Sequence, residues 1–350
     1  MADGSNGAAG KPGLASTPGA LVKLGCAMMA SGEGAKAVAL MTSLLKQRPD
    51  DPALASAARK VTSYHVPQWH GPMMRDTPRN DAYQRAIERA VRPDTRVLDI
   101  GTGSGLLSMM AARAGAQRVV ACELNPALAA TAAEIVARNG LSDRIAVIPR
   151  KSTELDRDAD LGGGADLVVS EIFSDDLFCE AALPSFDHAR RELIAPGARF
   201  IPSRASMRVA LAYRETPDAM PLTDINGFDL SLFDRHIAHG QRLKVGDKHL
   251  QLRGEPADLF SFDLQAGGAW RGGEGRVTLK ATDGPANGFA QWIRLDLDEE
   301  EIYENRPGPG ATSAWGIYFY SLPDGKVLGA GETTDVHGAH DGERVHFWFA

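Results

Sequence analysis

The chain has 350 residues, 43% hydrophobic and 24% charged, which is the composition of a soluble globular protein with one large domain or two smaller ones. Its formal net charge of −7 argues against binding to nucleic acid, because phosphate contacts need clustered lysine and arginine. No apolar run has the length of a membrane span and no secretory signal is evident. With three cysteines and no motif spacing between them, we expect a reducing, cytoplasmic location.

The first part of the chain divides into a tail and a helical segment. Residues 1–18 are mainly glycine, alanine, serine and proline, and we expect disorder because they offer little apolar surface to bury. Residues 19–63 place apolar residues at helical spacing and predict a helical hairpin followed by the start of a third helix. This segment resembles a single tetratricopeptide-type unit. One such unit cannot bury its own apolar face, so we expect it to pack on the next domain.

From residue 95 onward, strand-like and helical segments alternate. "RVLDIG", "RVVACEL", "RIAVIPR", "ADLVVSEIF" and "ARFIPSRASMRVALA" predict strands, and "PALAATAAEIVARNG" predicts a helix that begins at proline and ends at glycine. This alternation predicts a parallel sheet covered by helices, the α/β class. Residues 203–350 lack helical patterns and predict an antiparallel β-sandwich or barrel.

A glycine loop follows the first predicted strand of the sheet. "VLDIGTGSGLLS" places Gly101, Gly103 and Gly105 before a helix. The dinucleotide fingerprint needs a small residue where this chain has Leu106, so the NAD interpretation fails at that position. The turn instead suits a cofactor whose amino-acid and ribose portions approach the backbone. Glu123 ends the next strand, where a carboxylate can accept hydrogen bonds from both ribose hydroxyls.

These glycines, the preceding Asp99 and the downstream Glu123 together resemble the class I S-adenosylmethionine-dependent methyltransferases. The resemblance implies S-adenosylmethionine as the cofactor. It also implies a seven-stranded, Rossmann-like methyltransferase domain over residues 64–202, followed by the β domain.

A second motif, "SEIFSDDLFCE", follows the fourth predicted strand, at the sheet edge where ligands bind. Glu171 and Glu180 are nine residues apart and can converge only if the chain turns back as a loop. Two converging carboxylates match the fork of a guanidinium, offset its repulsion from a sulfonium, and can take the proton that an alkylated nitrogen releases. Asp175 and Asp176 either narrow the pocket or only keep the loop soluble.

Three further stretches extend the resemblance to one family. "RNDAYQRAI", "VLDIGTGSGLLSMMAARAGA" and "SEIFSDDLFCEAALPSFDHA" are similar to the protein arginine N-methyltransferases, most closely to their monomethylating type III branch. "SAWGIYFY" resembles the family's Thr-His-Trp loop, and "INGFDLSLF" the segment near its dimerisation arm. The similarity covers about residues 64–325. It implies methyl transfer to a guanidino nitrogen of arginine in protein substrates, and a homodimer with an arm near residues 215–240.

The resemblance also assigns individual residues. Arg79 matches the arginine that pairs with the methionine carboxylate of the cofactor, and Ser152 and Thr153 match the stretch beside its adenine. The residues implied for the cofactor are Arg79, Asp99, Gly101, Gly103, Gly105, Glu123, Ser152 and Thr153. Those implied for the acceptor are the catalytic pair Glu171 and Glu180 and, near the substrate, Trp315. No metal is implied.

Two departures from the family keep other functions open. Ala314 replaces the loop histidine, and Tyr64 and Trp69 stand at a different spacing from the paired aromatic residues that cover the cofactor. A small guanidino or amino metabolite also stays open as the acceptor. Alternatively, the chain could be a catalytically weak scaffold that binds the cofactor, although the intact pair Glu171 and Glu180 argues against that.

Overall fold

The computed structural model describes residues 17–64, 66–178, 180–215, 222–237, 239–268 and 270–349. Apart from its last two residues, where the first helix begins, the predicted disordered tail of residues 1–18 lies outside these ranges. Residues 216–221 of the predicted arm lie outside them as well.

Three helices precede the parallel sheet: α1 (Pro18–Ala30), α2 (Gly34–Gln47) and α3 (Pro52–Thr62). The side chains of Thr17 and Asp51 cap α1 and α3 by accepting hydrogen bonds from backbone N–H groups of the first turn. Apolar residues of all three helices form a small core that extends to Ala127 in the following domain. This three-helix unit therefore buries its apolar face against its neighbour, as a single unit must.

A parallel sheet with helices around it forms the next domain. Its elements are α4 (His70–Met74), α5 (Thr77–Ala90), β1 (Arg96–Ile100), α6 (Leu106–Arg113), β2 (Arg118–Cys122), α7 (Pro126–Arg138), β3 (Ile145–Ile148), β4 (Ala165–Ser170), α8 (Ala182–His188) and β5 (Ile194–Ile201). The strand order is β3-β2-β1-β4-β5, all parallel, which confirms the predicted α/β class. The strand order changes direction between β1 and β4, and the loops after these two strands flank the crevice where such sheets bind ligands.

An antiparallel domain completes the described chain. Its strands are β6 (Arg204–Arg214), β7 (Gly240–Leu243), β8 (Leu250–Leu252), β9 (Ala257–Asp263), β10 (Gly273–Lys280), β11 (Gly288–Asp296), β12 (Ile302–Glu304), β13 (Ile317–Ser321), β14 (Thr333–His340) and β15 (Val345–Phe349). One sheet contains β7-β13-β11-β6-β8, with β12 on β11 and β9 on β6, and a smaller sheet contains β10-β14-β15. This confirms the predicted β domain, and buried apolar residues of the two domains form one continuous core.

The expectation of seven strands in the parallel sheet is wrong for the described residues, which form five. The run "ARFIPSRASMRVALA" divides between two strands. Its first residues complete β5, whereas β6 begins at Arg204 and pairs antiparallel with β9 and β11 in the other domain. Because both edges of β6 are used there, the chain leaves the parallel sheet after Ile201.

The β domain also fixes α5, the helix that carries Arg79. Both Nε and Nη2 of Arg85 donate to Glu301 at 2.8 Å. Arg89 makes a similar two-point contact with Asp298, at 2.9 and 3.0 Å. Paired donors of this kind restrain orientation as well as distance. They therefore fix the position of α5 against the turn before β12.

None of the described helices combines the length and the apolar character that crossing a bilayer requires. Cys26 and Cys122 are free thiols, and Cys179 lies outside the described residues. Burial raises the pKa of the Cys122 thiol to about 12, so this cysteine stays protonated and unreactive.

Candidate active site

The glycine loop connects β1 to α6 at the C-terminal edge of the parallel sheet. Gly101, Gly103 and Gly105 have φ angles of +72°, +54° and +83°, a region that costs glycine little. A Cβ added to Gly101 would lie 2.3 Å from Cγ2 of Ile172, the second residue after β4. The turn and its close contact with the segment after β4 therefore both require glycine at position 101.

Asp99 supports this loop from within β1. Its Oδ2 accepts hydrogen bonds from Thr102 Oγ1 (2.6 Å), Ser108 Oγ (2.6 Å) and Ser108 N (3.1 Å). Burial raises the pKa of the Asp99 carboxyl, and the hydrogen bonds from Ser108 and Thr102 oppose that rise. The carboxylate thus ties the start of α6 to the strand that precedes the loop.

Glu123 directly follows β2, next to the glycine loop. Its Oε2 accepts a hydrogen bond from Gly103 N (3.0 Å) and its Oε1 accepts one from Asn125 N (2.8 Å). The backbone therefore fixes the orientation of the carboxylate. Each oxygen keeps a free lone pair, so a pair of neighbouring hydroxyls can still donate to it.

Residues 171–180, which we call the acidic segment, reverse direction after β4. Leu177 and Ala181 have φ angles of +76° and +54°, which residues other than glycine rarely adopt. These two positions turn the chain back. As a result, Glu171 and Glu180 line the same cavity, and the charge of Glu180 contributes to the raised pKa of the Glu171 carboxyl.

The other two carboxylates of the acidic segment make contacts within the fold. Asp175 Oδ1 accepts a hydrogen bond from Gly316 N (2.7 Å), and its Oδ2 pairs with Arg242. Asp176 Oδ1 accepts one from Phe178 N (3.2 Å). Asp175 therefore anchors the acidic segment to the β domain, and Asp176 stabilises its turn.

Glu171 is the buried member of the acidic pair. Its Oε2 accepts a hydrogen bond from Arg79, and the two side chains are only 5% and 7% exposed. Its Oε1 is buried without a hydrogen-bond partner among the described residues. Burial raises the pKa of the Glu171 carboxyl to about 8 against the opposing charge of Arg79. An unpartnered buried oxygen carries a desolvation cost that a cationic ligand would remove.

Glu180 lies at the exposed mouth of the same cavity. Surrounding protein still desolvates its carboxyl enough to raise its pKa, and the negative charge of Glu123 adds to the effect. The cavity is thus lined by three carboxylates and by three basic side chains, those of Glu123, Glu171, Glu180, Arg79, Arg150 and Lys151. Next to Glu171 and Glu180, the acidic charge favours a positively charged occupant.

The cavity has a volume of about 790 Å³ and reaches from the glycine loop to the acidic segment. The predicted site residues that line it are Arg79, Gly101, Gly103, Glu123, Ser152, Glu171 and Glu180. The structure therefore brings the implied cofactor residues and the implied acceptor residues into one space.

Four predicted site residues do not line this cavity. Asp99 lies within β1, and Gly105 ends the glycine loop as the N-cap of α6. Thr153 is exposed, whereas its neighbour Ser152 is buried in a short 3₁₀ turn. Trp315 is buried, and its indole N–H donates to Phe173 O (3.1 Å) in the acidic segment. A role for Trp315 beside the substrate stays a prediction.

Among the further residues that line the cavity, His70 and Met29 were not anticipated from the sequence. His70 in α4 is partly buried, and its ring lies 3.8 Å from the position a Cβ on Gly103 would take. Burial lowers the pKa of the His70 imidazole, against the opposing charge of Glu123. Met29, at the end of α1, is the other. The only sequence signal for His70 was its position directly after Trp69, which places two aromatic rings side by side. No sequence signal marked Met29.

Comparison with known proteins identifies the family. Residues 84–202 match the family described as ribosomal protein L11 methyltransferase (PrmA). The arginine N(omega)-methyltransferase of Streptomyces achromogenes subsp. streptozoticus is 38% identical over 321 residues, which are 90% of this chain and 88% of that one. The chain belongs to the arginine N-methyltransferase family. A protein arginine N-methyltransferase 7 from Drosophila willistoni is 31% identical over 66% of this chain, but this methyltransferase spans only 37% of that protein's length.

Solved structures agree with this assignment. The Trypanosoma brucei PRMT1 enzyme–prozyme heterotetrameric complex with AdoHcy contains a chain that is 25% identical, with a TM-score of 0.71, covering 82% of this methyltransferase and 95% of that chain. Arabidopsis thaliana protein arginine methyltransferase 10 gives a TM-score of 0.64 at 20% identity, covering 79% and 88%, which is a likeness of fold. These matches confirm the parallel-sheet domain followed by an antiparallel domain.

S-adenosylmethionine is the cofactor of this methyltransferase, as the resemblance implied. The residues present fit it. Glu123 offers a backbone-oriented carboxylate for hydroxyl groups, and the positive-φ glycines leave the loop backbone open on the cavity side. Arg79, which pairs with Glu171 in this structure, supplies a buried guanidinium on the cavity wall, a group that suits a carboxylate.

Proposed function

We propose that this chain transfers a methyl group from S-adenosylmethionine to a guanidino nitrogen of arginine, and that the acceptor arginine belongs to a protein. The observation that carries the proposal is the buried Oε1 of Glu171, which has no hydrogen-bond partner among the described residues and belongs to a side chain that lines the same cavity as Glu180 and the glycine loop. A guanidinium offers N–H donors in a planar fork and a positive charge, so an acceptor arginine can donate to the free Oε1 of Glu171 and to Glu180.

The two carboxylates have different tasks in this proposal. Glu171, in its ionised form, accepts hydrogen bonds from the guanidinium and fixes its plane. Glu180, nearer to solvent, draws positive charge toward one nitrogen so that another can attack. When bound, S-adenosylmethionine supplies the electrophilic methyl group. The nitrogen that becomes alkylated also becomes more acidic, and one of the two carboxylates takes its proton late in the reaction.

The test exchanges each carboxylate for its neutral isostere. We expect Glu171→Gln and Glu180→Gln each to lower the rate of labelled methyl transfer to an arginine peptide about 100-fold or more, because each removes charge stabilisation at the reacting group. Binding of S-adenosylhomocysteine should change little for Glu180→Gln. Glu274→Gln, on the exposed surface of β10, is the matched control. Transfer at the wild-type rate by both site variants would refute the assignment.

A second candidate acceptor is free arginine or another small guanidino metabolite. The observation in its favour is that the relative aligned with 90% of this chain is named an arginine N(omega)-methyltransferase, whereas the relatives named as protein enzymes align over a part of their length. Parallel assays with free L-arginine and with an arginine-rich peptide distinguish the two acceptors. A kcat/KM at least ten-fold higher for free arginine would replace the protein acceptor.

We further propose a homodimer and a cytoplasmic location. The described part of the predicted arm, residues 222–237, exposes several large apolar side chains: Ile225, Phe228, Leu230, Leu232, Phe233 and Ile237. So much apolar surface on one short segment supports contact with another protein surface. The two free thiols support the reducing compartment.

A further inference from the structure

The β domain holds the start of α5 through a single buried carboxylate, that of Asp76. Asp76 is 7% exposed and caps α5, since its Oδ1 accepts a hydrogen bond from Arg79 N (3.2 Å). Its Oδ2 accepts from the hydroxyl of Tyr303 (2.6 Å) and from Ala314 N (2.8 Å), and Ser313 Oγ lies 3.4 Å from it. One side chain therefore joins α5 to β12 and to the loop of residues 313–315.

The hydrogen atoms in this cluster can be placed consistently. Trp315 N donates to Ser313 Oγ (3.1 Å), and the hydroxyls of Ser313 and Tyr303 lie 2.8 Å apart. Because the carboxylate of Asp76 can only accept, Tyr303 donates to Asp76 and accepts from Ser313. Burial, together with the bond to Asp76, raises the pKa of the Tyr303 phenol, so it remains a donor throughout the physiological range.

The far side of this cluster reaches the acidic segment. Trp315 is the last residue of the loop. Its ring centroid lies 5.3 Å from that of Tyr303, and its indole N–H donates to Phe173 O. At the other end, Asp76 caps the helix whose Arg79 pairs with Glu171. Tyr303 therefore connects to the acidic segment in two ways. One connection runs through Trp315 to Phe173, and the other runs through Asp76 and α5 to Glu171.

We infer that Tyr303 is a positioning residue for methyl transfer: its hydroxyl fastens the 313–315 loop to Asp76 and thereby fixes Trp315 against the acidic segment. The inference rests on the proposed function. Ala314 has no polar side chain, so it contributes only its backbone N–H to Asp76. The hydroxyl of Tyr303, in β12, therefore provides a charge-assisted side-chain hydrogen bond to Asp76. It acts through Trp315 and Asp76 and does not line the cavity itself.

The principal test is Tyr303→Phe, which removes one oxygen and keeps the ring packed on Trp315. A hydrogen bond to a charged group is worth enough that its loss should lower kcat/KM for the arginine acceptor about ten-fold. The dissociation constant for S-adenosylhomocysteine should change less than about three-fold, because the Asp76 cap of α5 remains. Tyr213→Phe, which removes the same atom from β6, is the control and should retain wild-type rates.

Two further measurements separate positioning from general loss of structure. Hydrogen exchange of the Ala314 amide should become about ten-fold faster in Tyr303→Phe, with no change in the parallel sheet. Adding Ala314→His to Tyr303→Phe should recover part of the lost kcat/KM, because an imidazole N–H can again donate toward Asp76.

Unchanged acceptor kcat/KM and unchanged Ala314 exchange in Tyr303→Phe would overturn the inference. So would a fall in activity accompanied by an equal loss of cofactor affinity and of thermal stability, since that pattern describes a purely structural residue. If the wild-type protein methylates no arginine acceptor but Tyr303→Phe still speeds Ala314 exchange, the proposed function fails, and only the attachment of the 313–315 loop to Asp76 by Tyr303 is upheld.

Discussion

The protonation of Glu171 links the chemistry of the site to pH. Its carboxyl has a pKa raised to about 8 by burial, so near neutral pH the unliganded site holds this group largely protonated. A guanidinium needs the ionised form as its acceptor. With S-adenosylmethionine held well below saturation, we therefore expect the rate of transfer at low acceptor concentration to rise with pH and to reach half its plateau near pH 8, because that rate reports the free enzyme.

The control for this pH profile is Glu171→Gln, whose residual activity should lose the inflection near pH 8. Glu274→Gln should keep it. A wild-type profile that is flat between pH 6 and pH 9 would contradict the assignment of Glu171 as the group that must ionise.

A second prediction at the scale of single residues concerns Gly101. Its φ is +72°, so Gly101→Ala strains the backbone of the glycine loop. The added Cβ would also lie 2.3 Å from Ile172 Cγ2, so the substitution displaces the acidic segment. We expect affinity for S-adenosylhomocysteine, measured by calorimetry, to fall at least ten-fold. Gly115→Ala is a matched control, because Gly115 has φ of +105° but no atom within 4 Å of the added Cβ. It should lose only about 1 kcal/mol of folding free energy and bind normally. Equal affinity in the two variants would contradict this account.

At the scale of elements, the α/β alternation and the later run of strands could be predicted because each depends on local periodicity. The boundary between β5 and β6 could not. "ARFIPSRASMRVALA" is β-forming throughout, and only tertiary pairing shows that its two halves belong to different sheets. The carboxylate pair was predictable because its spacing fits neither a helix nor a strand. His70 and Met29 were not, since helices far from the glycine loop in sequence bring them to the cavity.

The three-helix unit gives an element-scale prediction. Gly34 in α2 packs so closely on α7 that a Cβ would lie 3.2 Å from Ala127 and 3.4 Å from the sulfur of Met29, which lines the cavity. Gly34→Val should therefore push α2 away from α7, cost about 1–3 kcal/mol of unfolding free energy, and weaken S-adenosylhomocysteine binding. Gly19→Val, whose Cβ meets nothing within 4 Å, tests for a general effect of valine in these helices. Loss of stability without any change in binding would show that the unit does not shape the cofactor site.

At the scale of the whole molecule, the site combines parts from all three regions of the chain. The parallel-sheet domain supplies the glycine loop and both glutamates, the three-helix unit adds Met29, and the β domain anchors the acidic segment through Gly316 and Trp315. In the described part of the chain, the residues implied for the cofactor and those implied for the acceptor therefore do not belong to separate domains. Damage to the β domain should reduce methyl transfer even though none of its described residues lines the cavity.

The proposed homodimer is the last property that belongs to this scale. Phe228 and Leu232 are 69% and 75% exposed on the described part of the arm, so their burial against a second chain would remove a large apolar area from water. Phe228→Asp combined with Leu232→Asp should convert a species with the mass of two chains into one chain, as measured by sedimentation equilibrium. Ile302→Asp, at a residue that is 49% exposed on β12, introduces the same charge elsewhere and should leave the dimer intact. A wild-type protein that sediments as a single chain at micromolar concentration would remove the dimer from the proposal and leave the exposed arm without its partner.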